Sequence, residues 1–147
     1  MRGPEDSLKR RDSIHVGSIF KMEFTPSEGV KPKNPGETSR IKYFVIIGID
    51  GDRVFVGALL INSRINDRLF SRIGPYQHRI EGAEYSFMTK GESYINCYEI
   101  KEIAARAIIV KAEYVGELRA EDLKSARTLV KTSPSIKPAT LKKFHLK

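Results

Sequence analysis

The sequence holds no tryptophan, one cysteine and three histidines in 147 residues. Each shortage closes a route. A single thiol, Cys97, forms neither an internal disulfide nor a cysteine-based zinc site. His15, His78 and His145 stand far apart in the chain, and His15 and His78 read as ordinary surface or half-buried histidines. No metal and no cofactor is therefore expected. No uninterrupted apolar run approaches the roughly 18 residues that a membrane-spanning helix needs. Met1 to Ser13 is polar and charged, which no secretory signal is. These absences predict a cytoplasmic protein with no membrane segment. Also missing are a glycine-rich phosphate loop ending in Lys-Ser or Lys-Thr, a Gly-x-Ser-x-Gly elbow and a His-Glu-x-x-His pair.

Positive charge is what the chain has in excess. Against 18 Asp and Glu stand 26 Lys and Arg, a formal net charge of +8. An apolar fraction of 40% with 30% charged residues fits one soluble globular domain. Most of the excess sits in two places. Residues 133–147 carry Lys137, Lys142, Lys143 and Lys147 with no acid, and residues 64–79 carry Arg64, Arg68, Arg72 and Arg79 against Asp67 alone. Local basic surface attracts polyanions because neutralised phosphates release their counterions. A basic tail also serves solubility alone, so composition leaves both roles open.

The pattern of apolar residues predicts a mainly β domain over 14–132, with a flexible tail at 1–13 and a basic, flexible tail at 133–147, in which Leu141, Phe144 and Leu146 are the residues able to dock. A first strand runs from Ile14 to Phe24, with Gly17 as a bulge or close approach. Thr25 to Ser39, carrying three prolines and two glycines, is a long loop. The runs 41–49 and 54–61 read as a central hairpin, apolar on both faces, turned by Asp50-Gly51-Asp52 with the positive φ angles that Asp-Gly supplies. Further strands are expected near Tyr85–Met88, Tyr94–Cys97 and Ala107–Tyr114. Arg64 to Ile73 fits either a short helix with an arginine stripe or a structured loop. Arg119 to Lys131 is a helix with Glu121 and Asp122 in its first turn and Leu123, Ala126, Leu129 and Val130 inward. Many short strands followed by a helix suggest a strongly curled antiparallel sheet or small barrel.

Chemistry enters through position. If the hairpin pairs about its turn, Arg40 and Ser63 flank it at equivalent distances and reach one rim of the sheet. A guanidinium that clamps two oxygens beside a hydroxyl that donates a third bond is a phosphate-binding pair. The alternative is a surface arginine and a strand-ending serine. Cys97, among Tyr94, Ile95 and Tyr98, reads as a buried structural cysteine.

From residue 14 to residue 131 the order of segments resembles the MazF/PemK family, the ribonuclease toxins of toxin–antitoxin systems. Val16-Gly17-Ser18-Ile19-Phe20 is similar to its opening strand, and the Gly/Pro loop before Arg40 to its loop ending in Arg-Pro. Leu60-Ile61-Asn62-Ser63 resembles the strand that ends in Thr or Ser. Tyr94 to Cys97 and Glu99 to Ile103 resemble the later strand pair, and Gly116-Glu117-Leu118 with Glu121-Asp122-Leu123 the closing turn and helix. The resemblance implies an SH3-like barrel, a homodimer, and metal-independent cleavage of single-stranded RNA through attack of a 2′-hydroxyl and a cyclic phosphate. It also implies an acidic, antitoxin-like protein partner. Arg40 matches the catalytic arginine and Ser63 the Thr/Ser that positions the phosphate. Asn62, Arg64, Arg68 and Arg72 would then follow the RNA, and Tyr76 would stack a base. The chain departs from the family at Ile41, where a proline is usual, and at Asn96 and Tyr98, where some members carry an Arg and an Asp. The general base is thereby unassigned, with Glu99 the nearest candidate. A non-catalytic barrel that binds nucleic acid or a protein partner is the alternative.

Overall fold

The computed structural model describes residues 13–25, 39–63, 70–88 and 91–146. Most of the expected N-terminal tail, most of the Pro/Gly loop, and Arg64 and Arg68 lie outside them. Among the described residues seven strands form one antiparallel sheet: β1 Ser18–Phe24, β2 Arg40–Ile49, β3 Phe55–Asn62, β4 Gln77–Glu81, β5 Glu92–Asn96, β6 Lys101–Ala104 and β7 Glu113–Glu117. Their order is β4-β5-β3-β2-β1-β7, and β6 also pairs with β3. One edge of β3 thus serves two strands, β5 at Ile61–Asn62 and β6 at Phe55–Ala58, and the sheet curls around it. Among the described residues there are four α-helices: α1 Phe70–Ile73 between β3 and β4, α2 Ala105–Lys111 between β6 and β7, and α3 Ala120–Thr132 and α4 Pro138–Lys143 after the last strand. The fold is mainly β, a curled antiparallel sheet with helices at its C-terminal end.

Both faces of β1–β3 are apolar because each face has its own cover. Side chains alternate across a strand, so Ile19, Val45, Leu59 and Ile61 face one core and Phe20, Phe44, Ile46 and Val56 the other. The first core is closed by α3, through Ala126 and Val130, and by the C-terminal segment. The second is closed by α2, through Ile108, together with Ala112 just past its end.

Several expectations give way to tertiary context. The segment expected as a strand at Ala107–Tyr114 is helical to Lys111, and β7 starts at Glu113. Ile108, Ile109 and Val110 favour a strand one by one, yet Ile108 and Ala112 recur at four, a helical spacing, and are fully buried, whereas Val110 is 65% exposed. Tyr85–Met88 is a turn closed by the Met88 N–H on the Tyr85 carbonyl at 3.2 Å; the strand lies earlier, at Gln77–Glu81, where Gln77, His78 and Arg79 hide it. The hairpin loop spans residues 50–54, and its positive φ falls at Arg53 (58°) rather than at Gly51. Asp50 organises that loop, its carboxylate accepting the N–H groups of Val54 and Phe55 at 3.0 and 3.3 Å. Gly17 does adopt a positive φ, 97°, and its N–H bonds the Ile46 carbonyl at 2.8 Å.

The end of the chain is the larger correction. Residues 133–146 are packed, not a free tail. Ile136, Leu141, Phe144 and Leu146 are buried in the first core, and the Ser133 hydroxyl donates to the Tyr98 carbonyl at 2.6 Å. The seat is made by two glycines that pair across the hairpin, Gly48 and Gly57. A β-bulge at Ile46–Gly48 adds one residue to β2. A Cβ on Gly48 would stand 2.5 Å from Phe144 Cβ, and one on Gly57 would stand 3.1 Å from the Phe144 ring.

Candidate functional site

Where β1, β2 and β3 reach the same end of the sheet, a cleft of about 240 Å³ opens between strand ends and the 85–88 turn. Phe24 pairs with Arg40, and Tyr43 with Ile61. Carried outward, that register sets Ile41 opposite Ser63 and leaves Arg40 one residue further on. Arg40 and Ser63 are one residue out of level, and the bulge brings them closer, since the pairing beside the turn, carried outward, would set them two apart; both line the cleft. Lys42 and Ser93 line it with them, and Phe87 and Met88 form an apolar wall. The volume is smaller than the roughly 300–1,000 Å³ of a pocket that encloses a drug-sized ligand. It suits a short piece of an extended one.

Among the described residues that line the cleft the charge is of one sign: Arg40 and Lys42 are there, and no carboxylate is. The nearby Glu23 accepts a hydrogen bond from the Ser39 hydroxyl. Among the described residues, no hydrogen bond or ion pair engages the guanidinium of Arg40 or the hydroxyl of Ser63, and both residues are exposed. Arg40 and Ser63 thus both line the rim of a cleft with one apolar wall, a combination that fits a phosphate with a sugar or base beside it.

Lys42 is the residue that sequence reasoning missed. It is only 8% exposed, and its Nζ donates to Asn62 Oδ1. Burial, and secondarily the Arg40 charge, pull its ammonium down to about 8 from the usual 10.5. A signal was present: in Arg40-Ile41-Lys42-Tyr43-Phe44, Lys42 alternates with Phe44 and Ile46, which are core residues. The shift also sets a stability prediction. The unfolded chain holds this proton more tightly than the folded one, so the penalty is full below pH 8 and disappears as pH rises to 10.5. Lys42→Met, which keeps an apolar stem, is expected to be more stable than wild type at neutral pH by up to about 3 kcal/mol. Thermal unfolding of both proteins across this range should show the gap closing as pH rises.

The other site candidates disperse. Asn62 lies at the cleft's edge, but its carboxamide holds Lys42. Glu99 is not at the cleft. It pairs with Lys101 at 3.0 Å and faces Ser135 and Lys137 across a separate groove. Arg72, in α1, is exposed and does not line the cleft. Tyr76 stands against Tyr98, ring centroids 5.7 Å apart, beyond the opposite end of β5 from Ser93. Asn96 is taken up structurally, its Oδ1 accepting from Gln77 Nε2 at 2.8 Å and the Tyr98 N–H at 3.1 Å. Arg64 and Arg68 lie outside the described residues. Cys97 is buried, and desolvation pushes its thiol up to about 12, which removes it as a nucleophile. The histidines do meet carboxylates, from distant parts of the chain: His15 with Glu117 at 2.5 Å and His78 with Asp122 at 2.8 Å. Asp122 also accepts from the Tyr85 hydroxyl, tying α3 to β4 and the 85–88 turn. Among the described residues no group of three or more His, Cys, Asp or Glu could hold a metal ion, and no helix is long and apolar enough to cross a membrane.

No family model matches the sequence, and no curated protein does. Among solved structures, a chain of the MazE–MazF crystal structure from Deinococcus radiodurans is similar at a TM-score of 0.53 and 13% identity, over 82% of this chain and 94% of that one. The fold is MazF-like. Identity this low speaks for backbone architecture alone. On this MazF-like sheet the cleft is placed by the hairpin β2–β3 and its neighbour β1, the same elements that carried the resemblance around Arg40 and Ser63.

Proposed function

We propose that this protein is a toxin-like endoribonuclease that cleaves single-stranded RNA without a metal. The observation that carries the proposal is the convergence of Arg40 and Ser63, both without partners among the described residues, at a cleft that no carboxylate of the described residues lines. In this chemistry the 2′-hydroxyl attacks the adjacent phosphorus, the P–O5′ bond breaks, and the products carry a 2′,3′-cyclic phosphate and a 5′-hydroxyl. The transition state is a phosphorane bearing an extra negative charge, which a fixed guanidinium stabilises and a hydroxyl helps to orient. Arg40 is the charge clamp and Ser63 the positioning donor. Arg64, Arg68 and Arg72 follow the RNA backbone, with Asn62 and Tyr76 as further contacts.

The partners proposed with this activity are a second copy of the chain and an acidic antitoxin-like protein that masks the basic cleft. Support for both is the MazF-like fold, whose solved neighbour is a complex of MazE with MazF. A cytoplasmic location goes with that role. The engagement of Asn96 in packing favours one competing possibility, a barrel that binds RNA through Arg40 and Ser63 without cutting it.

The test uses a long mixed-sequence single-stranded RNA with excess chelator, and a version with deoxyribose throughout. The expected result is cutting of the RNA, with cyclic-phosphate ends, and none of the DNA. RNA that is bound but uncut would support the non-catalytic barrel, and cutting of DNA would exclude 2′-hydroxyl attack.

A further inference from the structure

We infer that the cleft seats one unpaired nucleobase, held between Ile41 and the Phe87–Met88 wall with its polar edge on the paired hydroxyls of Ser63 and Ser93. The inference rests on the RNA substrate proposed above and adds a recognition site to it. The phosphate stays at the rim, and the base of an adjoining nucleotide enters the cleft.

The floor of this slot is a row of side chains on one face of the sheet. Ile61 pairs with Ile95 and Asn62 with Tyr94, which sets Ser63 opposite Ser93 one step further on. Tyr43 pairs with Ile61, which sets Ile41 on the other side of Ser63. Side chains alternate along a strand, and Ile61 and Ile95 belong to the first core. Ile41, Ser63 and Ser93, each two residues from a member of that layer, therefore share its face. Phe87 and Met88 pack against the same core and stand over the same face. Register, packing and the lining of the cleft agree.

The hydroxyls are placed to read an edge. Residues directly opposite on neighbouring strands hold their Cβ atoms about 4.5–5.5 Å apart. Two hydroxyls at that spacing reach neighbouring groups on one ring, and each both donates and accepts. Ser63 is exposed and Ser93 half-buried, and among the described residues neither hydroxyl has a hydrogen-bond partner.

The walls are apolar. Ile41 is 58% exposed beside the two serines. Phe87 is held by Tyr43 and Tyr85, with ring centroids 5.0 and 5.8 Å away. Glu23, paired with Ile41 across β1, accepts from the Ser39 hydroxyl and does not line the cleft. A volume of about 240 Å³ suits a single ring system. A phosphate between such walls would lose its hydration without a charge to replace it. An apolar side chain from a protein partner would bury both hydroxyls unpaired. A nucleobase has the matching chemistry, with two apolar faces and an edge of donors and acceptors.

A short single-stranded RNA that the protein cuts, remade with one abasic nucleotide at each position in turn, tests the slot. At one position beside the cut, loss of the base should lower kcat/KM about 10- to 100-fold. Ser93→Ala should cut the intact RNA about 3- to 10-fold more slowly, yet cut that abasic RNA at the wild-type rate. Ser93→Thr, which keeps a hydroxyl, should keep the full base penalty. Ser93→Leu, which fills the slot, should cut intact and abasic RNA alike. A merely structural Ser93 would slow both RNAs equally in Ser93→Ala. That result, or abasic RNAs all cut like the intact one, overturns the slot and leaves the ribonuclease standing. If wild type binds RNA and never cuts it, the ribonuclease falls, and the abasic scan is read as RNA retention on a filter. Weakened retention at one position then sustains the slot, and unchanged retention at every position overturns it.

Discussion

Phe144→Ala is expected to lower the unfolding free energy by about 3–5 kcal/mol, the usual range for deleting a fully buried aromatic ring. That is a third or more of the total stability of a typical domain of this size, so denaturant unfolding should show it plainly. The expectation depends on packing and not on composition. Phe144 is 1% exposed, and its ring fills the gap left by two glycines that face each other across β2 and β3. Ile100 also reaches the Gly57 side, at 3.1 Å, but at Gly48 the three nearest atoms all belong to Phe144. If 133–147 were the loose basic tail that its lysines suggest, the same substitution would change nothing. Gly48→Ala gives the reciprocal experiment. Its new methyl would stand 2.5 Å from both Cβ and the carbonyl oxygen of Phe144, and backbone at that distance has to shift. Gly48→Ala should therefore displace the C-terminal segment, and the double variant should cost less than the two single costs combined, since both break one contact.

That contact shows what the sequence makes legible and what it hides. The hairpin was readable because β-branched and aromatic residues fill 41–49 and 54–61 on both faces, a pattern with few alternatives to a central strand pair. Helix α3 was readable from its acidic first turn and its inward Leu123, Ala126, Leu129 and Val130. The MazF-like order of elements followed from those anchors. The docking of 133–146 was hidden because Ile136, Leu141, Phe144 and Leu146 are sparse among lysines and prolines, and their partner is an absence, two glycines 96 and 87 residues before Phe144 in the chain. Helix α2 was hidden because local β-propensity and the helical spacing of Ile108 and Ala112 disagree, and burial decided for the helix. At the cleft, the meeting of Arg40 and Ser63 could be read from the hairpin, though its loop leaves them out of level and the bulge at Ile46–Gly48 narrows that offset to one residue. Lys42 was passed over because a lysine in a strand ordinarily points to water. Its inward phase shows only when it is compared with Phe44 and Ile46.

Arg40→Ala is expected to reduce RNA cleavage about a thousandfold, within the range seen when a preorganised charge-stabilising group is removed from a phosphoryl- or acyl-transfer site. The loss should fall mainly on the chemical step. One phosphate contact among several carries little of the binding, and log affinity plotted against log salt should flatten by about one unit at most. Arg40→Lys should recover only a small part of the rate, because a point charge cannot grip two phosphate oxygens at once. Ser63→Ala, which removes a donor and no charge, should cost less than Arg40→Ala, and the double variant should fall short of the product of the two, since both act on one phosphate.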